Sequence, residues 1–543
     1  MITTFSGNEG ADLETRNPHG SSYASALDSL VQHKVASRLF GRDATLWGAD
    51  AEAEAAQRLG WVDLASRATS VATAAREHAS TLHARGINRV VLCGMGGSSL
   101  APEVICESTG RELVVLDSSH PDMVAEVVAQ DLSHTVVVIA SKSGGTVETD
   151  SHRRIFVQAF TDAGLVPAEH IVVITDPGSP FDVAAQEAGY TVFRADPEVG
   201  GRYSALSAFG IVPSALAGVD VDALLAQALA VSTAFASDSP DNPVLRLGAL
   251  MGEAVRSGVD KLVLAPSDSD APTLGVWIEQ LVAESTGKHG TGLLPVVVGS
   301  PAAAGFAEST PDGLLVSFGD LVPDVPALSG WSAHVRASLG AQFLLWEAAT
   351  AVASHLLEIN PFDQPDVESA KLAARSMLDG DVERRSPSFV VDEVEVFTSP
   401  DLLPNSTRTV EAAVETLYSL VREPRDYLAI QVYSDRLRDH RFEEVRERLA
   451  VKLGRPVTFG WGPRFLHSTG QYHKGGPATG VYLQITVAPQ GDVQVPGRPF
   501  TLGEFIDAQA QGDAEVLATR GRPVLRLHVN GPFALRDLME ALV

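Results

Sequence analysis

Two apolar runs in this chain end abruptly in glycine and hydroxyl residues, and this pairing constrains the fold more than any other feature. Val90-Val91-Leu92-Cys93 leads into Gly94-Met95-Gly96-Gly97-Ser98-Ser99-Leu100, and Val136-Val137-Val138-Ile139-Ala140 leads into Ser141-Lys142-Ser143-Gly144-Gly145-Thr146. A β-branched run without polar alternation reads as a strand buried on both faces, hence a strand of a helix-covered parallel sheet. Glycines let backbone N–H groups approach an anion, and Ser and Thr hydroxyls add adjustable donors where the next helix begins. Neither loop is a nucleotide P-loop. Two such joints in successive units imply a site for a phosphorylated small molecule.

The rest of the chain fits an α/β reading. Residues 1–85 are expected to form an N-terminal helical segment packed on the core, with the Ala-rich stretch from about 20 carrying the helices. Strands are expected at 88–93, 113–116, 135–140, 171–174 and 191–193 with helices between them, making a first unit over 86–235. A second unit over 236–378 is expected to hold strands at 262–264, 293–298 and 314–318, a helix over 275–287 and a long helix over 332–359. The stretch 379–410, rich in Asp, Glu, Ser and Pro, reads as a linker. A C-terminal α/β segment over 411–543 is expected to hold strands at 427–433, 481–487 and 523–529, with helices at 435–453 and 502–519.

Charge narrows the function. The 543 residues carry a formal charge of −27, which argues against a nucleic-acid partner because such binding needs phosphate-neutralising basic surface. No run approaches the ~18 apolar residues of a membrane span. The polar N-terminus lacks the pattern of a signal peptide, and Cys93 and Cys106 alone imply no disulfide framework. A soluble cytoplasmic protein is expected.

Over roughly 88–375 the motifs together resemble the glucose-6-phosphate isomerase family, built on two sugar-isomerase (SIS) domains. Gly94 to Ser98 is similar to its first glycine loop and Ser141 to Thr146 to its phosphate loop. Gly200-Gly201-Arg202-Tyr203-Ser204 matches its Gly-Gly-Arg-Tyr-Ser signature. Gln280 to Lys288, ending Glu284-Ser285-Thr286-Gly287-Lys288, resembles the segment with the catalytic glutamate. Asn360-Pro361-Phe362-Asp363-Gln364, then Val367-Glu368 and Lys371, resembles its closing signature. The resemblance implies two SIS-type parallel-sheet αβα sandwich domains plus a smaller C-terminal α/β segment. It also implies a homodimer, a sugar-phosphate substrate and no metal or organic cofactor.

Residue roles follow from that resemblance and from the chemistry. Moving a proton between C2 and C1 of an opened sugar suits a carboxylate that takes and returns one proton, and Glu284 is the candidate. An enediolate needs a fixed positive group, and Arg202 beside Gly201 suits it. Phosphate is expected on Ser141, Ser143 and Thr146, with Gly97 and Ser98 close by. Lys142 either joins the phosphate site or pins its loop to an acidic neighbour. Gln280 and Gln364 fall at the family's sugar-orienting glutamines, and Lys371 at its ring-opening lysine.

The histidine departs from the family pattern. That residue normally lies between the catalytic Glu and the closing Lys and crosses a dimer interface, whereas here His289, His334 and His355 have no matching context. The replacement is sought in Gly462 to Pro477, a segment similar to the C-terminal part of the isomerase half of actinobacterial transaldolase–isomerase fusions. His473, beside Lys474 and glycines, is the preferred ring-opening residue and His467 follows. Metal binding by the pair is disfavoured because no Cys or acidic residue lies in the segment. A non-catalytic sugar-phosphate sensor would not need Glu284, Arg202 and Lys371 together. Thr286, where many relatives carry Asn, leaves mannose 6-phosphate open as a further substrate.

Overall fold

The computed structural model describes residues 2–6, 10–306, 310–320, 330–366, 386–399, 401–531 and 534–543. The two apolar runs lie in a five-stranded parallel sheet ordered Val114–Leu116, Arg89–Cys93, Thr135–Ala140, Ile171–Thr175 and Thr191–Arg194. Every residue of Thr135–Ala140 and Ile171–Thr175 is buried, as a strand covered on both faces must be. Numbered along the chain, the order is 2-1-3-4-5, so it reverses between Arg89–Cys93 and Thr135–Ala140. Both glycine-serine loops leave from the carboxyl ends of those two strands. That crevice is where open α/β sheets bind ligands.

The second sheet repeats the core of this order. Its parallel strands, Leu294–Val297, Lys261–Pro266, Gly313–Phe318 and Ser332–Ala337, run 2-1-3-4 along the chain, and two antiparallel strands, Ala11–Arg16 and Ile2–Ser6, extend it. The third sheet has the same plan. Val457–Trp461, Tyr427–Tyr433, Gly480–Val487 and Val524–Val529 run 2-1-3-4, and the antiparallel hairpin Val394–Thr398 and Phe389–Val391 extends it at the same edge.

Several expectations are corrected here. The N-terminal segment is not only helical, because its first strands complete the second sheet. The stretch 332–359 is not one helix: Ser332–Ala337 pairs between Gly313–Phe318 and Ala11–Arg16, and the helix Leu339–Leu356 starts after it. Alternating side chains and two available sheet edges outweigh helix propensity there. Within the stretch 379–410, expected as a linker, Phe389–Val391 and Val394–Thr398 instead form the hairpin of the third sheet, turning through Asp392 at φ 50°. The charged helix expected over 435–453 is broken into Arg436–Asp439, a 3-10 turn His440–Glu443 and Glu444–Leu453.

The first two units share one hydrophobic core that runs from Ala11 to Phe362. The third unit has its own core and also packs into the other two. Val495 and Leu502 join the apolar layer behind Val91 and Ile139, and Tyr427, Tyr472 and Tyr482 pack on Val263 and Val296. Buried charge locks these joints. Arg436 and Arg464 of the third unit both reach Glu103 and Asp117 of the first. Arg425 binds Asp260, which with Asp312 holds the buried Lys261. Removing one partner from such a network strands its counter-charge, at about 3–5 kcal/mol. No helix among the described residues is long and apolar enough to cross a membrane.

Candidate active site

The glycine loop after Arg89–Cys93 is where the three units meet. Gly96 has φ +54°, and a Cβ on it would stand 2.6 Å from Gln280 Nε2 and 2.7 Å from the His467 carbonyl. A Cβ on Gly97 would stand 2.0 Å from the Gly201 carbonyl. Ser204 Oγ donates to the Gly97 carbonyl at 3.1 Å. The glycines thus let two further walls close on this loop, and half-buried Ser98 ends the turn.

The second loop opens the helix Val147–Asp162. Ser141 Oγ accepts from the Gly144 N–H at 3.1 Å and lies 3.3 Å from Thr146 Oγ1, and Ser143 Oγ accepts from the Gly145 N–H at 3.2 Å. Three hydroxyls and the positive end of a helix therefore share one small loop. Lys142 is turned away from them. Its ammonium donates to Asp176 at 3.0 Å and to the Val199 carbonyl at 2.8 Å, which pins the loop.

Glu284 lies in the last turn of the helix Leu274–Thr286 and is buried. This helix returns antiparallel to its strands, and Thr286 Oγ1 accepts from the N–H of Leu293, just before the strand Leu294–Val297. The glutamate therefore lies by the amino ends of the second sheet, and only the first sheet presents its carboxyl ends to the site. Arg202, in the turn Gly201–Tyr203, meets Glu284 Oε2 at 3.2 Å through Nη1 and donates to Ser285 Oγ at 2.9 Å through Nε. Its Nη2 donates to the carbonyls of Pro361 at 2.6 Å and Asp363 at 3.0 Å, and Gln364 Oε1 lies 3.4 Å from Nη1. Lys288 binds the same closing segment through Asn360 and Asp363. Burial raises the Glu284 carboxyl above its ordinary range, against Arg202, Gln280 and His467, which favour the anion. Burial, then Arg202, pushes the Lys288 ammonium down to about 8.

The third unit brings in His467. Gln280 Nε2 donates to the His467 carbonyl at 2.8 Å and lies 3.5 Å from Glu284 Oε1, so one amide touches both. The imidazole Nε2 of His467 lies 3.1 Å from Glu148 Oε1, in the first turn of the helix that follows the Ser141 to Thr146 loop. Burial raises the Glu148 carboxyl, but the hydrogen bond and charge of His467, its own N–H and Gln509 outweigh it, so the net shift is downward. A carboxylate only accepts, so Nε2 carries the proton of the neutral ring and Nδ1 is the basic nitrogen.

His473 is placed elsewhere, and the preference for it over His467 is corrected. Its side chain is 3% exposed; Nδ1 lies 3.0 Å from Tyr427 Oη, and its carbonyl accepts from Tyr482 Oη at 3.1 Å. Burial, with Lys474 and Arg522 nearby, pushes the ring down to about 3. Lys474 is bound to Asp513. The tyrosine cluster takes this face of the short helix Gly470–Gly475, so His473 is core. His334 lies on a strand against Ser317, His355 is bound to the Leu46 carbonyl, and His289 is exposed.

The structure thus gathers Gly97, Arg202, Gly201, Gln280, Glu284, Gln364 and His467 around one crevice, with Ser141, Ser143 and Thr146 on its neighbouring loop. Lys371, with Val367 and Glu368, lies outside the described residues. Glu148 stands two residues past Thr146, where a first-turn glutamate is indistinguishable in sequence from ordinary helix-dipole chemistry. Among the described residues no three His, Cys, Asp or Glu side chains gather to hold a metal ion.

The family model for phosphoglucose isomerase matches residues 71–312. The glucose-6-phosphate isomerase of Citrifermentans bemidjiense is 30% identical over 380 residues, 58% of this chain and 72% of the relative. A probable glucose-6-phosphate isomerase of Haloarcula marismortui is 28% identical over 355 residues, 56% of this chain and 81% of its own. Among solved structures, a glucose-6-phosphate isomerase of Chlamydia trachomatis superposes with a TM-score of 0.56 at 20% identity, covering 70% of this chain and 90% of that one. A hypothetical protein of Thermus thermophilus gives 0.58 at 24%, covering 70% and 100%. These two likenesses concern the fold.

Proposed function

The chain belongs to the glucose-6-phosphate isomerase family and is a sugar-phosphate isomerase, and from that premise we propose that it interconverts glucose 6-phosphate and fructose 6-phosphate in the cytoplasm. The observation that carries the reading is the shared amide of Gln280, which holds the His467 segment and the buried Glu284 carboxylate on one nitrogen.

The phosphate is held by the hydroxyls of Ser141, Ser143 and Thr146 at a helix N-terminus. The ammonium of Lys142, already neutralised by Asp176, is not its counter-charge. Remote phosphate binding then orients the sugar. In ring opening, His467 Nδ1 takes the proton of the anomeric hydroxyl while the bond from the anomeric carbon to O5 breaks (C1–O5 in glucose 6-phosphate, C2–O5 in fructose 6-phosphate), and O5 takes a proton from Lys371, the acid implied by the resemblance. Glu284 next removes the C2 proton, and the electron pair moves through C1 onto O1. Arg202 faces the resulting cis-enediolate. Glu284 returns its proton to C1 as the O2 proton passes to O1, which leaves the 2-ketose.

Thr286 gives no support to a mannose 6-phosphate reading, because its hydroxyl donates to the Val282 carbonyl at 2.8 Å and accepts from the Leu293 N–H. Because His467 comes from the chain's own third unit, we propose that one chain completes the site even where a homodimer forms.

The test is a coupled assay of glucose 6-phosphate formed from fructose 6-phosphate. Glu284→Gln is expected to lose about 10³-fold in kcat while still binding substrate, in the range of general base removal. The base must be ionised and burial raises its pKa, so the acidic limb of kcat/KM in the parent enzyme should lie above the ordinary carboxylate range. An active Glu284→Gln enzyme would remove the base assignment.

A further inference from the structure

Glu148 does not meet His467 alone. The same oxygen, Oε1, accepts from Gln509 Nε2 at 2.7 Å, and Gln509 Oε1 accepts from Ser119 Oγ at 2.6 Å. The orientation of this amide is fixed by valence. A carboxylate cannot donate, so the NH2 group must face Glu148, the carbonyl must face Ser119, and the serine must be the donor. All three side chains are buried, with Gln509 and Glu148 each 5% exposed. Gln509 belongs to the helix Leu502–Thr519, which begins in a capping box made by Thr501 and Glu504. Ile506 and Ala510 of the same helix pack with Phe465 and Leu466, the residues that lead into His467. One helix therefore grips the histidine segment by apolar contact and the histidine's carboxylate partner by a hydrogen bond.

Resting on the reading of His467 as the ring-opening residue, we propose that Gln509 is a positioning residue for that step. It holds the Glu148 carboxylate against His467 Nε2 so that Nδ1 is the nitrogen presented to substrate. A glutamate side chain has three rotatable bonds, and one hydrogen bond to a partly exposed imidazole leaves it free to swing. A second donor on the same oxygen, itself oriented by Ser119, removes that freedom, as outer-shell partners do for other functional histidines. The charged groups facing this pair are few. Apart from His467, His152 lies within electrostatic reach of Glu148 along its own helix, and Glu284 faces His467 from the second unit. Ser119 and Gln509 are neutral, so the effect is one of position. The third unit would then supply both a proton-transfer residue and the support that aims it.

Gln509→Leu keeps the volume and removes both hydrogen bonds. It should slow turnover of fructose 6-phosphate about tenfold, with KM held within about twofold, as expected for an outer-shell orienter. Turnover of 5-deoxyfructose 6-phosphate, whose ring cannot close, should stay within about twofold of the parent. In a His467→Asn background the same substitution should add no further loss, because two residues acting as one unit are not additive. Ser119→Ala, which frees the amide without removing it, should act in the same direction more weakly and covers the case in which Gln509→Leu fails to fold. Equal losses on the closed-ring and open-chain substrates, or additive losses in the double variant, would overturn the positioning role. Full closed-ring turnover by His467→Asn would overturn the reading beneath it instead.

Discussion

At the scale of single residues, the site depends on which of two neighbouring histidines is presented to the crevice. His467 and His473 stand six positions apart, among the same glycines, and the short helix Gly470–Gly475 turns the second one inward onto Tyr427 and Tyr482. The consequence can be measured. Burial holds the folded-state pKa of His473 at about 3 against 6.5 for the free ring. Between those values the unfolded chain binds a proton that the folded chain does not. Its contribution to stability is therefore full above about 6.5 and is lost as pH falls toward 3. His473→Gln retains a polar group for Tyr427 and removes the titration. Urea unfolding should show that this variant loses less stability than the parent between pH 6.5 and about 4, with closed-ring turnover within about twofold. A tenfold loss of turnover would return His473 to the mechanism. Nothing in the local sequence separates the two rings, because burial is set by the strands Tyr427–Tyr433 and Gly480–Val487, which lie outside the segment. Arg202, Glu284 and Gln280 were legible because each stands in a compact motif. Glu148 and Gln509 were not, since a glutamate in a first turn and a glutamine in a helix are usually solvated.

Elements were legible where a strand is buried on both faces and less so where a sheet is completed from far away. The five strands of the first sheet fall within about a residue or two of their sequence-derived positions, the usual precision of element ends. The hairpin Phe389–Thr398 reads as a linker in sequence because its strands are short and its surroundings rich in Asp, Glu, Ser and Pro. It becomes a strand pair only by extending Val524–Val529, more than a hundred residues later. Likewise Ala11–Arg16 finds its partner at Ser332–Ala337. Between elements the tightest joint is the glycine loop against the Gly201–Tyr203 turn. Gly97→Ala would drive a methyl to 2.0 Å from the Gly201 carbonyl. Backbone cannot yield there as a side-chain tip can, so the two loops must part and Arg202 must move relative to Gln280. Turnover should fall by about two orders of magnitude, as for a misplacement near 1 Å. Near-parental activity, measured by the same coupled assay, would mean that the joint is slack and that Gly97 is not needed for close approach.

For the whole molecule, the repeated 2-1-3-4 core gives the third unit its meaning. Two such sheets would make a cleft with Glu284, Arg202 and the Ser141 to Thr146 loop, and the third unit adds His467 and Gln509 from one continuous chain. Its hold on the rest is strong: Arg436 and Arg464 bind Glu103 and Asp117, Arg425 binds Asp260, and Arg520 binds Asp366 at the end of the closing segment. A histidine donated in this way should serve the glutamate of its own chain. Mixing two inactive variants, Glu284→Gln and His467→Asn, after joint unfolding and refolding separates the alternatives. If the histidine crossed between subunits, random pairing into twofold dimers would give about half mixed dimers with one intact site each, and about a quarter of parental activity would return. With donation inside one chain, every site keeps one defect and no activity returns at any mixing ratio. The same mixture of Gln509→Leu with His467→Asn should likewise retain only the residual activity of its parts, since the helix that positions the histidine and the histidine itself belong to the same fold.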